Sequence, residues 1–158
     1  ASPGPEVGRA LADLYLQNKQ YKQAEPLFRQ LLPANPRDPA LHLGLGVALL
    51  YQLKYAEAET ELINALKLKG DDPDALGYLA DAARENKHYE LAIRALDARA
   101  KMVGDTAKTI FIRATAYDNL HMPKQAAENY KRFLAVAGGK YPDQEFQARH
   151  RLKAILPD

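Results

Sequence analysis

The chain contains no cysteine among its 158 residues. Disulfides, thiolate metal ligands and a cysteine nucleophile are therefore excluded, and the redox state of the compartment leaves no mark on the sequence. Long apolar runs are also missing, so no membrane span is expected. Basic residues form no run, and 22 Lys and Arg stand against 20 Asp and Glu. This balance argues against a nucleic-acid surface, which requires clustered cations.

The sequence motifs of common enzymes are missing as well. No two of the four histidines are three or four residues apart and no HExxH occurs, so no metal site is predicted. No GxSxG or phosphate-loop pattern occurs, and the glycines of LGLG and AGG lack the strand–turn–helix context of a nucleotide-binding loop. We therefore predict that the protein is not an enzyme and needs no cofactor or metal.

The composition is that of a folded protein, because 47% of the residues are hydrophobic and 27% are charged. Residues 1–4 are predicted to form a flexible lead-in. The chain opens ASPGPE without methionine, as a trimmed segment or a mature chain after signal removal would. Cytoplasmic and exported or periplasmic locations therefore both stay open.

One interval repeats through the chain. Three heptads begin with tyrosine, YKQAEPL at Tyr21, YAEAETE at Tyr55 and YELAIRA at Tyr89, so their starts are equally spaced. Other positions at the same spacing also keep one residue type, and such a fixed period is typical of repeat architectures. The registers include Ala24, Ala58, Ala92 and Ala126; Phe28, Leu62, Leu96 and Tyr130; and Leu11, Leu45, Leu79 and Arg113.

Each period contains two amphipathic segments with apolar residues at helical spacing, such as YLADAAREN and YAEAETELINALKLK. Proline and glycine close the periods, and no useful length of sequence alternates with period two. The pattern predicts helical hairpins and an all-α fold.

On these residues the chain resembles the tetratricopeptide repeat family, whose repeat length of about 34 residues equals the interval between the tyrosine heptads. The resemblance implies a right-handed α-solenoid of about four helix–turn–helix hairpins with a C-terminal capping helix. The single domain would span residues 5–156, with repeats at about 5–38, 39–72, 73–106 and 107–140 and the capping helix at about 141–156. Small residues such as Ala58 would let paired helices approach, and large ones such as Leu62 would fill the space between repeats.

Three departures from the family pattern lead to local expectations. Arg99 and Arg113 stand where small or apolar residues are usual, and two interpretations are open: their heads reach water, the favoured one, or they form a buried ion pair that fixes the angle between repeats three and four. Pro123 replaces a tyrosine and is expected to begin a helix. In the capping helix, four apolar residues are expected to cover the last hairpin: Phe146, Leu152, Ile155 and Leu156.

In this family the first helix of each hairpin lines the concave face, where extended or helical peptides bind. The resemblance therefore implies a peptide-binding face on this chain, and we predict a protein or peptide partner whose segment has apolar anchors and some positive charge. The predicted binding residues are Arg9, Asp13, Leu43, Val47, Tyr51, Tyr78, Asp81, Glu85, Phe111, Thr115, Asp118 and Asn119.

Two alternatives stay open at this point. The helix LHLGLGVALLY is apolar nearly all round, which fits either an exposed groove or complete burial between neighbours. The protein is either an adaptor that binds peptides or an assembly subunit that associates through its ends or convex face. Monomer and weak homo-oligomer are both compatible with the sequence.

Overall fold

The computed structural model describes residues 4–156, and every regular element in this range is a helix. Gly4 is the N-cap of the first helix, and residues 1–3 of the predicted lead-in lie outside the described residues. In this range the nine α-helices are α1 (Pro5–Gln17), α2 (Tyr21–Leu31), α3 (Pro39–Leu50), α4 (Tyr55–Leu68), α5 (Pro73–Glu85), α6 (Tyr89–Val103), α7 (Ala107–Asn119), α8 (Pro123–Ala137) and α9 (Pro142–Ile155). A short 3-10 helix, Leu32–Ala34, follows α2.

The helices belong to two compact units, which are described separately. Unit 1 (Ala1–Asn86) contains α1 to α5, and unit 2 (Lys87–Asp158) contains α6 to α9. In unit 1 each helix packs on the next, and α3 also contacts both α1 and α5. In unit 2 each helix again packs on its successor. No helix in residues 4–156 is long and apolar enough to cross a membrane.

From the second repeat onward, the first helix of each hairpin has a side-chain N-cap, and this N-cap occupies the same repeat position each time. The carboxylate of Asp38 accepts a hydrogen bond from the Ala40 amide, and that of Asp72 accepts from two amides at the start of α5. Thr106 and Thr109 form a reciprocal capping box on α7. These side chains satisfy amides that have no partner inside the helix, which fixes where α3, α5 and α7 begin.

The turn inside each hairpin places a non-glycine residue in the left-handed region. Lys19, Leu53, Lys87 and His121 have φ values of 58°, 63°, 62° and 56°, and they occupy the same position in successive repeats. A side chain in this conformation costs roughly 1–2 kcal/mol, because its Cβ approaches the following carbonyl oxygen. The chain accepts this cost in all four turns.

Replacement of one such residue by glycine is expected to stabilise the protein. Leu53 is 69% exposed, so Leu53→Gly loses few contacts while it relieves the Cβ crowding. After the entropic cost of glycine is subtracted, the expected gain in unfolding free energy is about 0.5–1 kcal/mol, measured by urea titration. Leu53→Ala is the matched control, since it keeps the Cβ and should give no gain; an equal gain in both variants would contradict this account.

The core is built from the positions that the period singles out. All members of the alanine register, Ala24, Ala58, Ala92 and Ala126, are fully buried, and so are the large residues four positions later. Gly46 shows why the residues opposite must be small: a Cβ on Gly46 would lie 2.8 Å from Leu62 Cγ. The predicted packing of small against large residues within the hairpins is therefore confirmed.

The favoured interpretation of Arg113 is wrong, because its guanidinium group does not reach water. The residue is buried, and its guanidinium donates to Asp97 at 3.0 Å and to both carboxylate oxygens of Asp105 at 3.2 and 3.0 Å. Asp105 also accepts from Arg132 and Thr109. Despite opposing burial, the hydrogen bonds from Arg113 hold the pKa of Asp105 below its usual value. The alternative interpretation, a buried ion pair, is the correct one.

The capping helix also differs from expectation in the face that it buries. Leu152 and Ile155 pack against the core of unit 2 as predicted, but Phe146 is 72% exposed and Leu156 is exposed as well. Glu145 and Ala148 are buried instead, so the buried stripe of α9 begins one residue earlier. The reason is local: the Glu145 carboxylate accepts a hydrogen bond from the Tyr141 amide and so caps its own helix. Pro123 begins α8 as predicted, and Pro142 begins α9.

A histidine bridge ties α3 to α4. His42 Nδ1 lies 2.7 Å from Glu61 Oε2, and its Nε2 lies 2.7 Å from the carbonyl oxygen of Pro36. Both partners are acceptors, so the imidazolium, which carries two N–H groups, fits the site best. Burial opposes the charge, but the hydrogen bond to Glu61 prevails and the pKa of His42 is raised above its ordinary value.

This bridge predicts a pH dependence of stability. Because the pKa of folded His42 is raised, its contribution is fully present below the unfolded value of about 6.5 and is lost as the pH rises through the folded pKa. Unfolding free energies measured by urea titration between pH 5.5 and 8.5 should therefore fall with rising pH. His42→Gln should flatten that slope, whereas His150→Gln, at an exposed histidine of α9, should retain it. An unchanged slope in His42→Gln would refute the assignment.

Candidate functional site

An open groove of about 750 Å³ lies on unit 1, along the first helices of its hairpins. α3 supplies its floor, α1 and α5 supply its sides, and Lys19 and Tyr21 line it from the α1–α2 turn and the start of α2. The apolar and aromatic residues of the lining are Leu16, Tyr21, Ala40, Leu43, Gly44, Val47, Tyr51 and Tyr78. Its polar residues are Asp13, Gln17, Lys19 and Asp74.

Helix α3 is apolar nearly all round for two reasons: burial between its neighbours and exposure to the groove. Leu41, Leu45 and Leu49 are buried, so most of the helix is covered by its neighbours. Leu43 and Val47 are only partly buried and face the groove. The helix is apolar nearly all round because one side builds the core and the other side lines the groove.

Three tyrosines form the aromatic part of the groove. The rings of Tyr21 and Tyr51 are stacked, with centroids 4.7 Å apart and planes inclined by 17°. Tyr51 is still 51% exposed, so much of its surface is open to a ligand. Burial raises the pKa of Tyr78, and the neighbouring Tyr51 and Asp74 raise it further. The Tyr78 phenol therefore stays neutral at physiological pH.

The electrostatic character of the groove comes from two carboxylates. Asp13 lies on α1 and Asp74 on the first turn of α5, and both are exposed. Neither forms an ion pair with another residue in the described range 4–156. Lys19 is the cation of the lining, so the lining as a whole carries more negative than positive charge.

The predicted binding residues divide between the groove and other places. Asp13, Leu43, Val47, Tyr51 and Tyr78 line the groove together. Arg9 lies outside its lining and pairs with the capping carboxylate of Asp38 at 2.6 Å. Asp81 and Glu85 lie on α5, beyond the lining residues, and Glu85 pairs with Arg84. Three further lining residues were not predicted as binding residues, because they lie in or beside the α1–α2 turn and not in the middle of a first helix: Leu16, Lys19 and Tyr21.

The predicted binding residues of unit 2 already contact other side chains of the same chain. Arg151 on α9 makes a bidentate contact with the carboxylate of Asp118, at 2.7 and 2.8 Å, and the buried Tyr130 hydroxyl donates to the same group. The hydrogen bond from Arg151 is the main cause that holds the pKa of Asp118 below its ordinary value. The ring of Phe111 packs on that of Phe133 at 5.0 Å.

Thr115 and Asn119 complete the predicted set in unit 2. Each side chain donates to a backbone carbonyl of its own helix, that of Ile112 for Thr115 and that of Thr115 for Asn119. As a result, the site residues of unit 2 have internal partners, whereas those of the groove in unit 1 present free surface. No group of three or more His, Asp and Glu side chains in residues 4–156 is arranged to hold a metal ion.

Comparison with known proteins identifies the class. The tetratricopeptide repeat model matches residues 9–52 and 48–106, which together cover more than half of the chain. The chain therefore belongs to the tetratricopeptide repeat family, whose members are typically non-enzymatic interaction scaffolds.

Several solved structures share the fold across almost the whole chain. MamA AMB-1 is 22% identical with a TM-score of 0.79, and the match covers 97% of this chain and 86% of that one. MamA 41-end from Desulfovibrio magneticus RS-1 is 17% identical with a TM-score of 0.78, covering 98% and 94%. At this identity the likeness concerns the fold alone, and it confirms the predicted all-α solenoid of helical hairpins. No curated protein matches the chain.

Proposed function

We propose that the protein is an adaptor that binds a segment of a partner polypeptide in the groove of unit 1. The observation that carries this proposal is Tyr51, which is half exposed yet already held by its stack on Tyr21. A large aromatic side chain that is fixed before binding loses little conformational freedom in a complex, and such residues dominate interface energetics. The groove lies on the first helices, which the family uses for peptide binding.

The lining favours a polypeptide over a nucleic acid. Two carboxylates and one amine lie among apolar and aromatic side chains, and a phosphate backbone would be repelled by Asp13 and Asp74. Leu43, Val47 and Leu16 can receive apolar anchors of a peptide. The bound segment is therefore proposed to combine apolar residues with positive charge.

The proposal predicts a large loss of affinity when the aromatic groups are removed. Peptides selected from a random display library on the intact protein are the probes, and their binding is measured by fluorescence anisotropy. Tyr51→Ala combined with Tyr78→Ala should weaken binding by about 30-fold or more, the effect of losing a hot spot. Met102→Ala is the matched control, because it removes an exposed apolar side chain from unit 2. Equal binding by the double variant and the wild type would reject the groove.

An assembly role is the second candidate, and the exposed face of α9 favours it. Phe146, Arg149, His150 and Lys153 are all exposed and recur at helical spacing, and the ring of Phe146 stacks on that of His150. Residues 1–86 hold 9 Lys and Arg against 12 Asp and Glu, a net charge of −3, whereas residues 87–158 hold 13 against 8, a net charge of +5. The occupant proposed for this face is the acidic unit 1 of a second copy.

Molar mass in solution separates the two candidates. Light scattering across a concentration series should show mass rising with concentration for an assembly subunit, and Phe146→Ala should reduce the rise. A mass that stays at the 17.6 kDa of one chain at all concentrations would reject self-assembly and leave the adaptor proposal standing.

A further inference from the structure

We propose that the groove of unit 1 contains a subsite for one cationic side chain, an arginine guanidinium that stacks on the tyrosine rings and pairs with Asp74, while Asp13 adds negative charge from α1. This inference rests on the proposed function and names the group that the groove selects. It is carried by three features of the described residues: the arrangement of the rings, the unpaired carboxylates, and the charge of unit 1.

The rings offer the surface that a guanidinium prefers. Tyr21 and Tyr51 are parallel within 17°, and Tyr51 is still 51% exposed, so part of its surface is available to a ligand. Tyr78 lines the same groove as both other tyrosines. The face of an aromatic ring is electron-rich and attracts cations, and planar guanidinium groups stack on it especially well.

The carboxylates supply the hydrogen-bond acceptors. Asp74 lines the groove together with Tyr78 and acts on it electrostatically, which places a carboxylate beside the aromatic cluster. Asp13 lines the groove from α1. Neither Asp74 nor Asp13 forms an ion pair within residues 4–156, so both carboxylates can accept hydrogen bonds from a ligand.

The geometry favours arginine over lysine, and the charge of unit 1 supports a cation in general. Arginine can stack on a ring and donate two parallel hydrogen bonds to one carboxylate at the same time, whereas a lysine ammonium acts as a point charge. The −3 net charge of residues 1–86 would also attract a basic segment before contact. Lys19, in the α1–α2 turn, disfavours a second cation in its own part of the groove.

The test compares arginine with citrulline, which keeps the shape of the side chain but carries no charge. Peptides obtained from the display selection are synthesised with arginine, lysine or citrulline at the basic position. On the wild-type protein, citrulline should weaken binding about tenfold or more, and lysine should weaken it to a smaller extent. In the double variant Asp13→Asn, Asp74→Asn, the difference between arginine and citrulline should shrink to about twofold or less.

The matched control is Asp71→Asn. Asp71 is exposed in the α4–α5 loop and does not line the groove, so this variant should keep the full preference for arginine. Selected peptides without a basic residue, or equal affinity for arginine and citrulline peptides, would overturn the subsite. If Tyr51→Ala with Tyr78→Ala still abolished binding in that case, the adaptor function would survive the loss of this inference.

A second measurement decides the matter if the library yields no binders. N-acetyl-arginine amide and N-acetyl-citrulline amide are titrated into protein with isotope-labelled tyrosine rings, and NMR shifts are recorded. Saturable shifts of the Tyr51 and Tyr78 rings with arginine, absent with citrulline and in Asp13→Asn, Asp74→Asn, support the subsite. The absence of such shifts would refute it.

Discussion

Asp105→Ala is expected to lower the unfolding free energy by about 3 kcal/mol, because it leaves the guanidinium of Arg113 buried without its main partner. Arg113 is 5% exposed, and two of its nitrogens donate to Asp105. Asp97 remains as a third contact but is half exposed, so it compensates only in part. Asp105→Ala also removes the acceptor of Arg132 and Thr109. Urea titration followed by far-ultraviolet circular dichroism measures the loss.

The matched variant is Arg113→Leu, which should cost much less, about 1 kcal/mol or below, because replacement of a buried ion pair by an apolar residue is often nearly neutral. Leucine occupies the equivalent position in the other three repeats. Asp105 would keep Arg132 as a partner. Combining the two substitutions should cost less than the sum of the single effects. If Asp105→Ala were as mild as Arg113→Leu, the ion pair would not stabilise unit 2.

The registers explain why the fold was predictable from sequence. A hairpin buries the same positions in every repeat, so one alanine or one large residue recurs with the period, and all of these residues are buried. Two further registers carried information that the sequence analysis did not use. The capping residues Asp38, Asp72 and Thr106 and the left-handed turn residues recur at the same interval. The helix starts and hairpin turns were thus encoded locally.

The errors arose where a residue departs from its register. Arg113 was expected to reach water because long charged side chains in apolar positions usually extend their heads to solvent. Its partners carry no signal in the repeat pattern: Asp97 is 16 residues away on α6, and Asp105 is in the loop before α7. Only the packing of α6 on α7 brings them together. On α9, the apolar pattern selected Phe146, but the capping role of Glu145 turned the helix so that Phe146 faces outward. Pairing and capping prevailed over hydrophobic patterning in both cases.

The candidate site was predictable only in unit 1 and only on the first helices. Leu43, Val47 and Tyr51 follow from the spacing of three to four residues on α3, and they do line the groove. Tyr21 was recognised as a repeat position, but its stack on Tyr51 depends on how α2 and α3 pack. Asp118 has the right spacing on α7, yet Arg151, 33 residues later, covers it. Such tertiary partners leave no local signal.

The floor of the groove depends on a close contact between repeats, and this contact gives the second large effect. Phe28 on α2 is fully buried against α3, and a Cβ on Gly44 would lie 2.4 Å from the end of its ring. Phe28→Ala should lower the unfolding free energy by about 4 kcal/mol, through lost burial and the cavity left behind. Urea titration of the full chain measures this loss, and Phe28→Leu provides a milder version should the alanine variant not fold.

Gly44→Ala is expected to change sign between the two backgrounds. In the wild type the added methyl group collides with the ring of Phe28 and should destabilise by about 1–2 kcal/mol, even after the helix propensity gained over glycine. In Phe28→Ala the ring is gone, so the same substitution should stabilise by about 1 kcal/mol, because the propensity gain remains and the methyl group fills part of the cavity. The coupling energy from this cycle isolates the contact between Phe28 and Gly44. If Gly44→Ala were equally destabilising in both backgrounds, Phe28 would not be the reason for glycine at this position.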